Sequence, residues 1–253
     1  AEVAASARQL GAAVAMVELA SVPLERVLGA EVGSIYADLH AGHGVDLHFG
    51  TGVDALVGSG AVEAVRLTDG TVLPAQVVVV GIGVAPRTEL AEAAGIRIDR
   101  GVVVDEHLQT SVPGVHAAGD VATAFHPRYG THIRLEHWSA ALNQGPAAAR
   151  SMLGHSVVYD RIPYFFSDQY DLGMEYRGWA PTFDHVIFRG EPASGAFIAF
   201  WLRHGRVAAA MNANVWDAGD AIEALLRSDR PVASDRLADP DVDLCELVAE
   251  LTA

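Results

Sequence analysis

Residues 12–18 of the chain read AAVAMVE, a continuous apolar run closed by a single acidic residue, Glu18. Such a run suits a parallel strand that is buried on both faces. The alanine-rich stretch 1–10 stops at Gly11, which predicts a helix with a glycine just past its end. In a dinucleotide-binding fold, a strand-end acid follows the glycine-rich loop by about 20 residues. Counting back from Glu18 places that loop before Ala1, so we expect the chain to begin inside a nucleotide-binding domain and to lack its first strand and glycine loop.

The residues that follow continue an alternation of helices and strands. The predictions are a helix over about 23–40, a strand over 45–49, a hairpin made of 62–67 and 71–73, and a buried strand made of the four valines 77–80. An Asp-Gly pair at 69–70 supplies the turn of the hairpin. This order indicates the second part of a doubly wound nucleotide-binding domain that carries an antiparallel insert.

The sequence character changes after Pro86 and again after Tyr159. The middle section predicts a helix over 88–94, short strands over 96–98 and 102–104, a strand over 112–118 that runs into a glycine turn, and a helix over 139–153. The last section predicts strands over 186–188, 196–202 and 206–211 with a helix over 217–226 behind them. Aromatic residues and alternating strands in this section are typical of an α+β domain built on an antiparallel sheet.

The composition excludes several kinds of chemistry for these 253 residues. All 17 basic residues are arginines, and Cys245 is the single cysteine. A Schiff-base lysine, a P-loop lysine and a CxxC redox or zinc pair therefore cannot come from this sequence. The net charge of −15 argues against nucleic-acid binding, since phosphate neutralisation needs clustered cations.

The expected compartment follows from the hydropathy pattern and the cysteine count. No apolar run is long enough to predict a membrane span, and the first residues lack the basic and apolar regions of a secretory signal. A lone cysteine cannot form an internal disulfide. The sequence therefore predicts a cytoplasmic protein with no membrane partner.

Four stretches in a fixed order carry a resemblance to a known family. They read VVVVGIGVAPRTELAEAAGI from residue 77, GVVVDEHLQTSVPGVHAAGDVA from 101, RLEHWSAALNQGPAAARSMLG from 134 and YFFSDQYDLGMEY from 164. Together they resemble the FAD-dependent, NADH-linked ferredoxin reductases that serve bacterial oxygenases. The resemblance covers essentially the whole chain.

The resemblance implies the fold class and the domain boundaries. The expected fold is α/β, with the remnants of two Rossmann-like nucleotide-binding domains followed by a C-terminal α+β domain with an antiparallel sheet. Residues 1–80 would form the NAD-binding domain, truncated at its start. Residues 81–157 would form the C-terminal part of the FAD-binding domain, and residues 158–253 the C-terminal reductase domain.

Five residues are implied to bind NAD. Glu18 matches the acid that hydrogen-bonds the adenosine ribose and favours NAD over NADP; a solvated strand-end acid is the alternative. Glu2 matches an acid near the nicotinamide carboxamide, although an acid at a helix N-terminus is favourable without any ligand. The loop Gly81-Ile82-Gly83 would let the backbone pass close under the nicotinamide ring.

Six residues are implied to bind FAD. Asp120 would accept a hydrogen bond from the ribityl chain, and Gly119 would permit the turn that brings it there; an Asx turn or cap is the alternative for Asp120. The stretch Glu136-His137-Trp138 would begin a helix whose amides face the pyrimidine edge of the flavin.

Trp138 and the sixth of these residues, Phe166, leave open questions. Trp138 would pack near the flavin ring or serve as a core tryptophan. Phe166 stands where the family more often has tryptophan before Ser-Asp-Gln, which leaves its shielding role in doubt. His137 is not expected to bind metal, because no second histidine or cysteine has ligand spacing to it.

The implied activity is transfer of electrons from NADH through FAD to a small [2Fe–2S] ferredoxin, with the flavin supplying the chemistry and no catalytic side chain required. Such ferredoxins are generally acidic, so docking needs a locally positive face on a chain of charge −15. Arginines and a histidine that could form that face are Arg128, Arg134, Arg203, His204 and Arg206.

Two alternatives remain at this stage. The chain could be a truncated, cofactor-free piece without activity, since half of each nucleotide site is expected outside it. It could also belong to a reductase of the same superfamily with another acceptor, such as a quinone or a peroxide. Peroxidases and disulfide reductases of that superfamily use a cysteine near the flavin, which these residues do not supply but which could lie in the half of the protein that is expected outside this sequence.

Overall fold

The computed structural model describes residues 1–252 and divides them into two compact units. Unit 1 holds Ala1–Gly81, Phe166–Tyr176 and Ala180–Ala253, and unit 2 holds Ile82–Phe165 and Arg177–Trp179. Each unit is described by itself below.

The helices and strands occur in an order close to the predicted one. The helices are α1 (Glu2–Gln9), α2 (Glu25–Gly42), α3 (Glu89–Ala93), α4 (Trp138–Met152), α5 (Gly219–Ser228), α6 (Ser234–Ala238) and α7 (Leu244–Thr252). The strands are β1 (Ala15–Glu18), β2 (Asp46–Phe49), β3 (Val53–Val57), β4 (Ala64–Leu67), β5 (Val72–Pro74), β6 (Val102–Val104), β7 (Ala122–His126), β8 (Thr131–Ile133), β9 (Tyr164–Gln169), β10 (Leu172–Gly178), β11 (His185–Glu191), β12 (Ala196–Arg203) and β13 (Arg206–Ala213).

Unit 1 begins with the predicted alternation of helix and strand. β1 and β2 pair in parallel, with Glu18 opposite Phe49 at the end of the pair. The predicted hairpin is also present, as β4 and β5, and the strand β3, which the sequence pattern did not indicate, pairs antiparallel with β4. This arrangement confirms a Rossmann-like pattern followed by an antiparallel insert.

Helix α2 contains a break that fixes its position in unit 1. Gly29 has φ 80° and ψ 169°, values that a helix does not contain and that only glycine adopts readily. A Cβ at this position would lie 2.8 Å from Cζ of Phe183. On the residue before the break, the carbonyl of Leu28 accepts a hydrogen bond of 2.9 Å from the indole nitrogen of Trp201. The break therefore occurs where α2 meets the residues of the C-terminal sheet.

The C-terminal part of unit 1 is organised by a five-stranded sheet in the order β11-β12-β13-β10-β9. β12 pairs antiparallel with both of its neighbours, as predicted. The fully buried large side chains of this region include Phe197, Phe200, Trp201, Met211, Ile222 and Leu225. Leu244 and Leu247 of α7 and Leu237 of α6 are buried as well, so the acidic tail packs its apolar residues and is more than a solvated surface segment.

Unit 2 is built on a three-stranded sheet in the order β6-β7-β8. β6 and β7 are parallel, while β7 and β8 are antiparallel. The core of the unit consists of Ile96, Val102, Val104, Leu108, Ala122, Ala124, Ala148 and Tyr159. Ala148 belongs to α4, so this helix covers one face of the small sheet.

The strand predicted from the valines 77–80 is wrong. These residues are not in a strand, and Val77, Val79 and Val80 are 66–78% exposed. A strand that buries both faces needs hydrogen-bonded neighbours and covering layers. No strand of the described part of the chain pairs with this segment, so the apolar run alone does not produce a strand.

The strand predicted over 112–118 is also wrong. The segment turns instead, because Pro113 has no N–H to donate, Gly114 has φ 79°, and the amide of Val115 bonds back to the carbonyl of Val112 at 3.1 Å. A single bridge joins His116 to Gln109, and the regular strand β7 starts at Ala122, after the glycine turn.

The observed elements confirm the predicted α/β class with an antiparallel C-terminal sheet. Among residues 1–252, no helix combines the length and the apolar character that crossing a bilayer requires.

Candidate functional site

Glu18 lies at the carboxyl end of β1, as predicted. Its Oε1 accepts a hydrogen bond of 3.1 Å from the amide of Ala20, which orients the carboxylate across the turn that leaves the strand. Ligands of open α/β sheets bind outside the carboxyl ends of the strands. The position therefore suits the ribose contact, and the local bond to Ala20 is also compatible with a plain strand-end acid.

Glu2 stands in the first turn of α1 and contacts the Ser-Asp-Gln stretch of β9. The hydroxyl of Ser167 lies 2.6 Å from Oε1 of Glu2. Ser167 also accepts a hydrogen bond of 3.1 Å from the side-chain nitrogen of Gln169. Two parts of the chain that are far apart in sequence thus meet at this carboxylate.

The contact continues into helix α2. The side-chain oxygen of Gln169 lies 2.9 Å from Nε2 of His40, and Nδ1 of His40 lies 3.2 Å from the hydroxyl of Tyr170. His40, Gln169 and Ser167 are buried, at 0%, 1% and 8% exposure. The ring of Tyr170 stacks on His43 with centroids 3.6 Å apart. We call Glu2 and the four residues bonded to it in series, Ser167, Gln169, His40 and Tyr170, the Glu2 chain.

The glycine loop after the valines is exposed. Gly83 has φ 97°, a backbone angle that residues with a side chain rarely adopt, so a glycine is required there for conformational reasons. A Cβ added at Gly81 or Gly83 would meet no atom within 4 Å. The intervening Ile82 is 92% exposed. The conformation of Gly83 agrees with a tight turn, and the role of the loop at the nicotinamide stays a prediction.

In unit 2, Gly119 and Asp120 lie in a short 3-10 turn that is held against α4. The amide of Gly119 donates a hydrogen bond of 2.8 Å to Oε1 of Gln144, a residue of α4 that is 4% exposed. Gly119 has φ 77°, and a Cβ on it would lie 3.4 Å from Cβ of Ala141. The turn therefore needs glycine for both its conformation and its close approach to the helix, and it leaves the side chain of Asp120 exposed.

Arg134 connects this turn to the start of α4. Its Nη1 donates to the backbone carbonyl of Asp120 at 3.1 Å and to Oε1 of Glu136 at 2.5 Å. Arg134 was considered as a ferredoxin contact from the sequence, but its guanidinium serves this local network. The cation fixes Glu136 beside the turn that carries Asp120.

His137 and Trp138 begin α4 as predicted. His137 is the N-cap residue, and its side chain makes no capping hydrogen bond to the first turn of the helix. Its ring stacks on Phe165 with centroids 4.6 Å apart and an interplanar angle of 13°. Burial lowers the pKa of His137, while the carboxylates of Asp120 and Glu136 oppose this change. The imidazole is therefore favoured in its neutral form at an uncapped helix terminus, a location that attracts negative charge.

Trp138 and Phe166 are exposed apolar side chains rather than core residues. Trp138 is 68% exposed, which rules out the reading of a plain core tryptophan, and Phe166 is 51% exposed. Trp138 belongs to unit 2 and Phe166 to unit 1. Their assignment to the flavin stays a prediction.

The structure thus forms two clusters from the predicted site residues. Unit 1 joins Glu2 to Ser167 and Gln169, and unit 2 joins Gly119 and Asp120 to Glu136 and His137. Sequence reasoning did not find His40, Tyr170, Gln144 or the structural role of Arg134. No local pattern marks His40, Tyr170 or Gln144, because each is a single polar residue whose partner is at least 25 positions away in sequence. In the described part of the chain, no three His, Cys, Asp or Glu side chains are arranged to hold a metal ion, and Cys245 is exposed.

Two stretches of the chain match known protein families. Residues 1–145 match the family described as pyridine nucleotide-disulphide oxidoreductase, and residues 164–248 match the family described as reductase C-terminal. The chain belongs to the pyridine nucleotide-disulphide oxidoreductase family.

Individual relatives narrow the resemblance to ferredoxin reductases. The chain is 38% identical, over 96% of its length, to the ferredoxin–NAD(+) reductase component of the anthranilate 1,2-dioxygenase system of Burkholderia cepacia, and covers 60% of that protein. A crystal structure of a ferredoxin reductase from Rhodopseudomonas palustris matches with a TM-score of 0.92 and 35% identity, covering 97% of this chain and 61% of the other. The reductase in a covalent putidaredoxin reductase–putidaredoxin complex matches with a TM-score of 0.93 and 36% identity, covering 99% and 61%.

These matches confirm the resemblance that the four sequence motifs indicated. The chain spans about 60% of the length of the curated relatives that it matches.

Proposed function

We propose that this protein acts in a cytoplasmic, NADH-dependent ferredoxin reductase, which passes electrons from NADH through FAD to the [2Fe–2S] ferredoxin of an oxygenase system. The relatives support this proposal, since they include a reductase component of a dioxygenase system and a reductase that was crystallised with its ferredoxin. The division into an NAD-binding part (1–80), a flavin-binding part (81–157) and a C-terminal reductase part (158–253) belongs to the same proposal.

One observation carries the flavin part of the proposal. The turn with Asp120 is fixed to α4 by the bond from Gly119 to Gln144, and it lies beside the N-terminus of that helix, which the N-cap side chain of His137 does not cap. Free amides at a helix N-terminus stabilise negative charge, and the exposed carboxylate of Asp120 can accept a hydrogen bond from a hydroxyl. This donor and acceptor set fits the ribityl chain and the pyrimidine edge of FAD.

When bound, FAD would supply the chemistry of the proposed reductase, which is acceptance of hydride from NADH and delivery of electrons one at a time to the ferredoxin. The residues of this chain would bind and orient. Asp120 would hold the ribityl chain, the first turn of α4 would stabilise negative charge at the flavin, and Glu136 would be kept in place by Arg134. No side chain is required to transfer a proton for hydride transfer itself.

The NAD part of the proposal rests on Glu18 and Glu2. Glu18 would accept a hydrogen bond from the ribose, and its charge would disfavour the 2′-phosphate of NADP. Glu2 uses Oε1 for Ser167, and no described residue is bonded to its Oε2. This oxygen is available to the carboxamide of the nicotinamide, and Gly81, Ile82 and Gly83 would form the neighbouring loop.

The test is flavin retention and acceptor choice in the purified protein. Wild-type protein should show flavin absorbance, and Asp120→Ala should weaken FAD binding by about tenfold or more, the cost of a hydrogen bond to a charged group. Asp217→Asn, at an exposed acid far from this turn in sequence, should retain the flavin of the wild type. Flavin binding unaffected by Asp120→Ala would contradict the assigned role.

Acceptor choice separates the proposal from its alternatives. After reduction by NADH in a stopped-flow instrument, the enzyme should be reoxidised faster by a [2Fe–2S] ferredoxin than by a quinone. Preference for quinone would favour a reductase with another acceptor. A protein that is folded, colourless and unable to take up added FAD would favour the reading of a cofactor-free piece.

A further inference from the structure

The Glu2 chain is a feature that the proposed activity does not require. It extends over four hydrogen bonds: Glu2 to Ser167 at 2.6 Å, Ser167 to Gln169 at 3.1 Å, Gln169 to His40 at 2.9 Å and His40 to Tyr170 at 3.2 Å. Nucleotide binding as proposed uses only the first of these residues. The other four residues of the chain therefore need a separate explanation.

The charge of Glu2 fixes the direction of the bond between Ser167 and Gln169. An ionised carboxylate can only accept, so the hydroxyl of Ser167 donates to Glu2. That hydroxyl has a single proton, and it must therefore accept from Gln169, whose nitrogen is the side-chain atom next to it. The amide oxygen of Gln169 is then turned toward helix α2.

The same logic fixes the tautomer of His40. Because the Gln169 oxygen accepts, Nε2 of His40 must carry the proton. Nδ1 is then an acceptor, and the hydroxyl of Tyr170 donates to it. Every donor in the chain points toward Glu2. Reversal would need a protonated Glu2, a flipped Gln169 amide and the other tautomer of His40.

Burial keeps this direction from being lost to water. His40, Gln169 and Ser167 are at most 8% exposed, so a broken bond leaves a polar group without a solvent partner. An unsatisfied buried group costs more than the bond itself contributes. The chain is therefore held as a unit, and its inner end fixes one oxygen of Glu2 while the other oxygen remains free.

We propose that His40 is a positioning residue for nicotinamide binding, which acts through Gln169 and Ser167 to hold the Glu2 carboxylate in a single orientation. This inference rests on the proposed role of Glu2 at the carboxamide of NADH. His40 touches neither the nucleotide nor the flavin in this account. Its effect is to select the amide orientation of Gln169.

The affinity for NAD⁺, measured by calorimetry on the flavin-loaded holoenzyme, tests the proposal. Glu2→Gln should weaken NAD⁺ binding about tenfold, as expected for loss of one charged hydrogen bond. His40→Phe should weaken it by about three- to tenfold, because the Gln169 amide is then free to flip. The double variant should bind no more weakly than Glu2→Gln alone, since both changes remove the same contact.

Two further variants separate positioning from simple loss of packing. His40→Gln places an N–H donor near the position of Nε2 and should restore most of the affinity lost in His40→Phe. His43→Phe keeps a ring stacked on Tyr170 and leaves the Glu2 chain unchanged, so NAD⁺ should bind as in the wild type. Equal losses in His40→Gln and His40→Phe would overturn the inference.

The tautomer of His40 gives a readout that does not depend on nucleotide binding. In ¹⁵N spectra, the wild type should show His40 protonated at Nε2 and unprotonated at Nδ1. Ser167→Ala, a small change that should fold, should relax this selection and give a mixture of tautomers. A wild-type His40 protonated at Nδ1 would overturn the directional chain.

The outcomes distinguish this inference from the proposed function on which it rests. If Glu2→Gln leaves the NAD⁺ affinity unchanged, the nicotinamide role of Glu2 is wrong and positioning by His40 falls with it. If Glu2→Gln weakens binding while His40→Phe and Ser167→Ala do not, the role of Glu2 stands and the inference about His40 is wrong.

Discussion

The indole nitrogen of Trp201 donates a hydrogen bond of 2.9 Å to the carbonyl of Leu28, across 173 positions of sequence. Trp201 is completely buried on β12, and Leu28 is the last residue before α2 breaks at Gly29. One side chain of the C-terminal sheet thus fixes the irregular point of a helix in the first part of unit 1.

Replacing Trp201 by phenylalanine should therefore destabilise unit 1. The change removes a buried hydrogen bond and leaves a space, which together cost about 2–4 kcal/mol. Urea unfolding followed by circular dichroism would measure this. Trp216→Phe, at a tryptophan that is 57% exposed, is the matched control and should change the free energy of unfolding by less than about 1 kcal/mol. Equal effects of the two substitutions would show that the bond from Trp201 to Leu28 does not stabilise unit 1.

Gly29→Ala should also destabilise the protein, for a different reason. At φ 80° and ψ 169° an alanine is strained, at a cost of about 1–3 kcal/mol, and its Cβ would collide with the ring of Phe183. Gly42→Ala is the control, because Gly42 lies in the same helix and a Cβ there meets nothing within 4 Å. That variant should be neutral or more stable. A stabilising effect of Gly29→Ala would show that the break is not required.

Gln144→Leu should loosen the turn that carries Asp120. The amide of Gly119 would lose its acceptor, and an unsatisfied buried N–H costs about 1–3 kcal/mol. We expect lower stability together with weaker FAD binding, measured by fluorescence titration of the apoprotein. Asn143→Ala, which removes two hydrogen bonds to Ser139 within the same helix, should keep the flavin affinity. FAD affinity that survives Gln144→Leu would separate this turn from the flavin site.

The stability of the protein should fall below about pH 6.5. Burial is the main cause that lowers the pKa of His40, His126 and His137. Each of them binds a proton more readily in the unfolded chain, where the pKa is the ordinary 6.5, so the unfolded state gains protons first as the pH drops. The stabilisation is complete above pH 6.5 and is lost below it.

Urea unfolding at pH 7.5 and pH 5.5 would measure this loss. The carboxylates with lowered pKa values, Glu25, Asp69 and Glu250, act at lower pH, since their ordinary values are 4.5, 3.8 and 4.5. The interval between pH 7.5 and 5.5 therefore excludes the carboxylates, and the histidines share it with the amino group of Ala1, whose pKa burial lowers from 8.0. His137→Phe, which keeps a ring against Phe165, should reduce the difference in the free energy of unfolding between the two pH values. An unchanged difference would show that His137 does not contribute to the pH dependence.

Charge reversal on the β12–β13 turn tests where a ferredoxin docks. Arg203 and Arg206 are directly paired across this hairpin, which places their side chains on one face. Arg206 is paired with Asp229 at 3.1 Å, and His204 lies 4.0 Å from Asp184. The positive charge of this turn is thus partly neutralised, and the exposed Arg203 is the better single target.

Arg203→Glu should slow ferredoxin reduction several-fold at low salt, less so at high salt, while NADH-to-dye activity is unchanged. Arg227→Glu, at an arginine paired with Glu223 on α5, is the control. Equal loss in both assays, or no loss in either, would place docking elsewhere.

The sequence predicted the elements that short-range patterns determine. The Asp69-Gly70 turn, three of the five strands of the C-terminal sheet and the start of α4 follow from such patterns, because turn chemistry and alternation act over a few residues, whereas β9 and β10 were not predicted. The strand predicted over the valines 77–80 is wrong because it depends on long-range contacts. A buried strand depends on neighbours, and an apolar run does not say whether neighbours are present.

The site shows the same division. Gly119 and Asp120 were recognisable from a contiguous motif, whereas His40 joins Gln169 across 129 positions and carries no local signal. Its partner is chosen by the packing of α2 against β9. Such contacts become visible only with the fold.

Helix α2 is held by residues of the C-terminal sheet on both sides of its break: Trp201 bonds to Leu28 before Gly29, and Gln169 bonds to His40 after it. The position of His40, and with it the buried end of the Glu2 chain, therefore depends on contacts that the amino-acid sequence of α2 alone does not supply.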